Sequence, residues 1–431
     1  SFRCPKEVTV PGFPATLQLM ILTQAFEYRD GQLFCEDSAL QRVAAEIGTP
    51  CYVYSKRAIQ ENYRSFDRAF SQIDSLICYS VKSNSNLSIL KILKEEGSGF
   101  DVVSGGELYR LRQIGADPGK VVFSGVGKTR DEMKRALEFG ILSLHVESLA
   151  EIKVLQEISR RGKKRAPIVL RFNPDVDPKT HPYVATGLRQ HKFGLDMSQS
   201  EELLALLKAS PDLELRGLGF HIGSQILDVQ PFLEAFSKLK ALAARFQSAG
   251  FKIHDLGVGG GIGIPYQDEA TPDLSRYAKF LEEHGTAYRI VFEPGRIIVG
   301  NAGVLLCQVL YNKTNHGKRF VVVDGAMNDL IRPSLYQAHH EVRPLRKAEA
   351  RIIADVVGPV CESGDFFARD RRLPEFQEGD YLALMNAGAY GFVAASNYNS
   401  RPRIAEVLVD GSRFQVIRRR EALEDLIHGE V

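Results

Sequence analysis

Four short stretches of the chain carry side chains suited to chemistry. In YSVKSNSN, residues 79–86, Lys82 stands where the apolar run LICYSV ends, ahead of small polar residues. A lysine there either lays its stem on apolar surface and keeps its ammonium in water, or is a partly desolvated amine able to form a Schiff base. In GFHIGSQ, His221 also closes an apolar run; it is a core imidazole or a flat face for another ring. GVGGGIG sets Gly259, Gly260 and Gly261 in succession, either as a tight turn or as bare backbone N–H groups that cradle a phosphate. FEPGR carries Glu293 and Arg296. Glu293 pairs with Arg296, or it holds a proton on a heteroaromatic nitrogen.

The elements around these stretches give them one address. From about residue 50 to 300, strand-like runs (LICYSV, FDVV, VVFSG, LSLHV, PIVLRF, RGLGFHI, IHDLGV, YRIVFEPG) alternate with helical stretches such as LSILKILKEEG, GGELYRLRQIG, TRDEMKRALEFG and LAEIKVLQEISRRG. LSILKILKEEG places Ile89, Leu90 and Leu93 on one side and Lys91, Lys94 and Glu95 on the other, the pattern of a helix covering a sheet. Strands alternating with helices imply a parallel sheet, and eight of them in this length predict a (β/α)8 barrel, preceded by the helix KRAIQENYRSFDRAFSQI. Lys82, His221, the glycine run and FEPGR then end the first, sixth, seventh and eighth strands, the face on which barrel active sites form. An amine, a phosphate cradle, a ring face and an acid round one pocket describe a site for pyridoxal 5′-phosphate.

Beyond about residue 305 the texture becomes β-rich, as in GVLLCQVLYNKTN, KRFVVVDG, ARIIADVVGPV, GDYLALMNAGAYG and AEVLVDGSRFQVIRRR, which predicts an antiparallel β-sandwich or barrel domain. LQLMILTQAFEYRDGQLFCED reads as a hairpin turning at RDGQ. The expected division is an N-terminal segment, 1–48, pairing with the C-terminal β domain; a barrel, 49–305; and the β domain, 306–431. The long polar segment NPDVDPKTHPYVATGLRQ is the candidate lid.

The formal net charge is +2, and the short runs RRGKKR and RRR read as solvated faces, so no nucleic-acid partner is expected. No apolar stretch reaches membrane-spanning length, and SFRCPKEVTV does not read as a signal peptide. Six cysteines at 4, 35, 51, 78, 307 and 361 form no CxxC pair and no metal-ligand spacing. Reduced thiols, a cytoplasmic location and no metal are expected.

YSVKSN, FDVVSGGEL, HKFGL, GFHIGSQ, GGG, EPGR, CESGD and NAGAYG, in that order between about residues 50 and 405, resemble the barrel-type (alanine racemase-like) pyridoxal-phosphate-dependent amino-acid decarboxylases. The resemblance implies that Lys82 binds the cofactor covalently and His221 stacks on its ring, with Ser224 near its phosphate. It assigns Gly259, Gly260, Gly261 and the EPGR backbone, including Gly295 and Arg296, to the phosphate loops, and Tyr390 to a contact with cofactor and substrate. Arg296, Arg332 and Tyr336 are implied as the clamp on a distal substrate carboxylate. Cys361 is implied as proton donor, and Glu362 as the group that reads a distal amine. Cys361 and Glu362 would enter the neighbouring chain's site, giving a homodimer with shared active sites.

Glu293 as the ring-nitrogen partner favours decarboxylation, since an alanine-type racemase is expected to carry an Arg there. Paired arginines suit a carboxylate and Glu362 suits an ammonium. The expected substrate is therefore meso-2,6-diaminopimelate, yielding L-lysine and CO2 as the last step of lysine biosynthesis. The alternatives are an ornithine- or arginine-type decarboxylase, which has no distal carboxylate to hold, and a catalytically silent pyridoxal-phosphate-binding regulator, which would be expected to lack Lys82 or Cys361.

Overall fold

The computed structural model describes residues 22–178, 187 and 192–431. Most of the candidate lid, and His191 of HKFGL, lie outside the described residues. Eight strands form a closed parallel barrel: Ser75–Ser80, Gly99–Val102, Val121–Phe123, Ser143–Val146, Ala166–Asn173, Leu213–Phe220, Asp255–Gly259 and Arg289–Phe292. The eighth pairs with the first through Ile290↔Ser75 and Phe292↔Ile77, which closes the ring.

The barrel strands are short apolar runs buried on both faces, because helices cover them outside. Leu87–Glu95 buries Ile89, Leu90, Ile92 and Leu93, and the Asn86 side chain caps its N-terminus. Arg130–Phe139 starts with a capping box, in which the Thr129 hydroxyl and the Glu132 carboxylate satisfy each other's backbone N–H groups. The helix ahead of the barrel, Lys56–Ala69, is capped by Ser55. Its Phe66 meets Phe292 edge-on, with ring centroids 5.5 Å apart, at the seam where the barrel closes.

The second domain is a β-sheet layer of mixed direction. Phe366–Leu373, Ile352–Val357, Lys318–Val323, Gly303–Asn315, Cys51–Ser55, Ala405–Asp410 and Arg413–Arg418 lie side by side in that order, and Tyr381–Leu384 also pairs with Gly303–Asn315. Most contacts are antiparallel, as expected. Two are parallel: Ile352–Val357 on Lys318–Val323, and Ala405–Asp410 on Cys51–Ser55. Parallel neighbours need a long crossover; residues 324–351 supply one, and residues 56–404, the barrel with most of the sheet's own strands, supply the other.

Cys51–Ser55 falls in the stretch assigned above to the barrel, yet it pairs in the middle of this sheet. All five of its residues are buried. Tyr52 and Tyr54 stack at 6.0 Å between ring centroids. A short unbroken apolar run of this kind is what a two-sided buried strand requires. Further upstream, Phe26–Arg29 and Gln32–Cys35 form the hairpin expected at RDGQ. Asp30 and Gly31 both have positive φ, 47° and 75°, the backbone that a two-residue turn of matching twist demands. Leu33 N–H donates to Leu345 O at 2.8 Å.

The barrel and the sheet meet beside the first strand's end. Tyr390 N–H donates to Ser83 O at 2.8 Å, and Asn84 Nδ2 donates to Gly388 O at 3.1 Å. Glu406, 1% exposed, accepts from Asn86 Nδ2 at 2.9 Å, from the Tyr54 hydroxyl at 2.9 Å and from Arg418. Ser83, Asn84 and Asn86 of the SNSN stretch are thus inter-domain fasteners. No helix among the described residues is long and apolar enough to cross a membrane.

Removing the Glu406 carboxylate strands three donors at this junction. Glu406→Ala is expected to lower stability by about 3 kcal/mol, read as a reduced urea midpoint at unchanged slope.

Candidate active site

Lys82 sits in the tight turn Val81–Ser83 that follows the first barrel strand. Its Nζ lies 3.0 Å from Asp101 Oδ2, at the end of the second strand. Burial alone would push the Lys82 ammonium down, but Asp101, Tyr390 and Glu293 together hold it above its ordinary value. The other oxygen of Asp101, Oδ1, is buried without a hydrogen-bond partner.

His221 follows the sixth strand. Burial, reinforced by the Arg171 and Lys82 charges, holds it well below the usual imidazole range. Its Nδ1 accepts from Gly260 N–H at 3.2 Å, so the ring is neutral with its proton on Nε2. The glycines after the seventh strand leave no room for side chains: a Cβ on Gly260 would lie 2.0 Å from Glu293 O, and one on Gly261 would lie 2.1 Å from Gly223 O. Gly295 passes Ser83, where a Cβ would meet the serine at 3.0 Å.

Glu293 closes the eighth strand and is 6% exposed. Burial, with Asp101 close by, pushes its carboxyl up to about 8, against the pull of Lys82 and Arg171. His145 Nδ1 lies 3.3 Å from Glu293 Oε1, and burial pushes that imidazole down to about 3. At neutral pH the contact is therefore between two neutral groups, with the Glu293 carboxyl carrying the proton.

A cavity of about 390 Å³ opens above this floor, lined by Lys82, His221, Ser224, Arg296, Arg332, Tyr336 and Tyr390 together with the 265–269 loop. Arg296 donates to the Tyr266 hydroxyl at 2.8 Å and to Ser224 Oγ at 3.0 Å, and its Cζ lies 4.8 Å from the centre of the Tyr390 ring. The Arg332 Cζ lies 4.7 Å from the centre of the Tyr266 ring. The two guanidiniums are 7% and 5% exposed, and neither has an ion-pair partner among the described residues.

Seven of the residues singled out from the sequence therefore line one cavity, with Glu293 and the glycines beneath it. Cys361 and Glu362 are not in it. Both are exposed on the second domain, Cys361 Sγ against Asn399 Oδ1 at 3.3 Å and Glu362 accepting from the Tyr398 hydroxyl at 2.7 Å. Sequence reasoning missed Asp101, whose signal was an acid inside the buried run FDVV, and Tyr266, which follows the glycine loop in GIGIPY.

These groups fit pyridoxal 5′-phosphate. Lys82 is an amine in the cavity, and Glu293 is a buried acid holding a proton where a ring nitrogen needs one. His221 offers a neutral ring, and the glycine loop is bare backbone. The Asp101 Oδ1 atom is an orphaned acceptor beneath the amine. Such a barrel with such a mouth is the architecture of a barrel-type pyridoxal-dependent decarboxylase, and residues 56–300 match the pyridoxal binding domain of the pyridoxal-dependent decarboxylases.

The diaminopimelate decarboxylase of Pseudomonas aeruginosa is 49% identical over 408 residues, 94% of this chain and 98% of that protein. That of Aquifex aeolicus is 47% identical over 406 residues, 93% of this chain and 96% of its own. The structure of Helicobacter pylori diaminopimelate decarboxylase complexed with L-lysine matches with a TM-score of 0.87 at 44% identity, covering 90% of this chain and 98% of that one. The chain belongs to the diaminopimelate decarboxylase family.

The Glu293 shift has a direct consequence for the cofactor-free protein. Its carboxyl lies at about 8 in the fold against an ordinary 4.5, so its favourable contribution is whole below pH 4.5 and is lost as pH rises towards 8. Denaturant unfolding of the cofactor-free protein should show wild type losing stability relative to Glu293→Gln across that window and levelling off above it. A constant difference would contradict the burial argument.

Proposed function

We propose that the chain decarboxylates meso-2,6-diaminopimelate to L-lysine and CO2, the last step of lysine biosynthesis, with pyridoxal 5′-phosphate as cofactor. The observation that carries this reading is the pair of buried guanidiniums, Arg296 and Arg332, facing the same cavity as Lys82 with no ion-pair partner among the described residues; Glu269, a carboxylate on the cavity wall, is taken up by the Tyr266 and Gln267 backbone N–H groups. Buried charges call for a partner, and a substrate with an anionic distal end provides one. Ornithine and arginine have no distal carboxylate and would leave both arginines uncompensated. A silent regulator gives no reason for Lys82, Asp101 and Glu293 to converge.

Bound there, pyridoxal phosphate supplies the electron sink for the pair released as CO2 departs. Lys82 holds the cofactor, while Glu293 keeps a proton on its ring nitrogen and His221 flanks the ring. Gly259, Gly260, Gly261, Gly295 and Ser224 serve the phosphate. Arg296, Arg332 and Tyr336 bind the distal carboxylate, and Tyr390 packs beside the reacting end. Cys361 and Glu362 face solvent on their own chain. We therefore assign them to the site of a second copy in a two-fold homodimer, where the partner's Cys361 returns a proton to the carbon that has lost CO2 and the partner's Glu362 reads the distal ammonium. A cytoplasmic location is supported by Cys35, Cys51, Cys78, Cys307 and Cys361, all free thiols.

Release of CO2 from meso-diaminopimelate, ornithine, arginine and lysine tests the substrate. Wild type should favour diaminopimelate, and Arg332→Ala should impair its use by about 2–5 kcal/mol, a few tens to thousands of fold. Ornithine turned over equally well or better would overturn the assignment. The shared site is tested by mixing Lys82→Ala with Cys361→Ala, each inactive alone. Free reassortment makes half the dimers mixed, each with one intact site, so about a quarter of wild-type activity should return. No recovery despite verified subunit exchange would exclude sharing.

A further inference from the structure

Arg332 is held by an unusual neighbour. Its Nη1 donates to His340 Nε2 at 2.8 Å, and His340 Nδ1 donates to Met385 O at 2.7 Å. With one ring nitrogen donating to a carbonyl, the other must accept, so the imidazole is neutral in a fixed tautomer. His340 is fully buried, and burial together with the Arg332 charge holds it well below the usual imidazole range. Its ring meets Tyr266 nearly edge-on, centroids 5.5 Å apart at 79°, and Tyr266 presents its face to the Arg332 guanidinium. His339 Nδ1 in turn donates to Tyr266 O at 3.1 Å.

Structural arginines are commonly anchored by carboxylates, which are the strongest acceptors for the guanidinium fork. A carboxylate at this place would orient Arg332 equally well, but it would cancel the charge on which an incoming anion depends. Neutral acceptors satisfy the N–H groups and leave the charge in place. Arg296 likewise has only neutral partners, the Tyr266 and Ser224 hydroxyls on its two Nη atoms, while its buried Nε has no hydrogen-bond partner.

We propose that His340 is a positioning residue for distal-carboxylate recognition: a neutral imidazole acceptor that orients Arg332 while keeping its positive charge available. The proposal rests on the reading that this pocket takes a substrate with a distal carboxylate. It makes His340 a determinant of binding at the end of the substrate remote from the reacting carbon, so its loss acts on KM more than on kcat.

Three variants of the holoenzyme separate the alternatives. Gln at 340 retains a neutral acceptor, Leu removes it, and Glu replaces it with a charge. KM and kcat for diaminopimelate are measured for each, with the dissociation constant of L-lysine by calorimetry, because that product keeps the distal amino-acid end. His340→Gln should bind within about threefold of wild type. His340→Leu should weaken both KM and lysine binding about tenfold. His340→Glu should weaken them about a hundredfold, with kcat changed less than threefold. Equal losses in Gln and Glu variants, unweakened binding by the Glu variant, or a fall in kcat at constant KM would overturn the proposal. If the Glu variant does not fold, the Gln and Leu pair decides, and equal affinity in those two overturns it. Failure of the substrate reading would show separately, as wild type that neither binds L-lysine nor prefers diaminopimelate.

Discussion

The backbone bond from Tyr390 to Ser83 is where the two halves of the pocket become one object. Lys82 belongs to the barrel and Tyr390 to the sheet domain, and each lies within one residue or less of that bond. Tyr390 has a positive φ of 55°, a conformation that a bulky residue keeps only where its surroundings over-determine it. The surroundings here are Asn84 on Gly388 O and the Arg296 guanidinium over the Tyr390 ring. The cavity is therefore a joint between domains, and its chemistry depends on the rigidity of that joint. The small polar residues after Lys82, which look like ordinary loop filling, make most of it.

Electrostatics divides the pocket into two levels. The floor, made by Asp101, Glu293 and His145, is deeply buried; burial there raises Glu293 and lowers His145, so both are neutral and Asp101 carries the negative charge that Lys82 meets. The upper wall, made by Arg296 and Arg332, is cationic. Lys82 stands between them, drawn to the floor by Asp101. Tyr266 belongs to the upper wall: burial would raise its hydroxyl, yet the flanking arginines pull it below its ordinary value.

Much of this was legible in the sequence for a simple reason. Eight apolar runs separated by amphipathic helices leave few topologies open, and groups at the ends of parallel strands share one face. That logic reached Lys82, His221, the glycine loop and Glu293 without any contact being known. It did not reach Asp101, because an acid inside an apolar run is indistinguishable from an ion-pair partner until its neighbour is placed. Nor did it reach His340, whose tautomer is set by a carbonyl 45 residues away. Cys51–Ser55 was missed because its β partners lie at the other end of the chain. Cys361 and Glu362 are legible as a motif, but within one chain they stand apart from the groups they resemble.

The placement of Cys51–Ser55 also bears on how the protein comes into being. Tyr54 and Glu406, joined by a hydrogen bond, are 352 residues apart in sequence. As the polypeptide leaves the ribosome, this strand emerges before the rest of its sheet; its first neighbour, Gly303–Asn315, follows only after the barrel, and its second, Ala405–Asp410, near the end of the chain. Contacts of such long range close late. The apolar tyrosine-bearing strand thus spends most of synthesis as an unpaired edge, the kind of segment that invites association with other chains. Its immediate continuation into the first barrel helix tethers it beside a unit that can collapse early, so the sheet's missing centre is already in position when the last strands arrive.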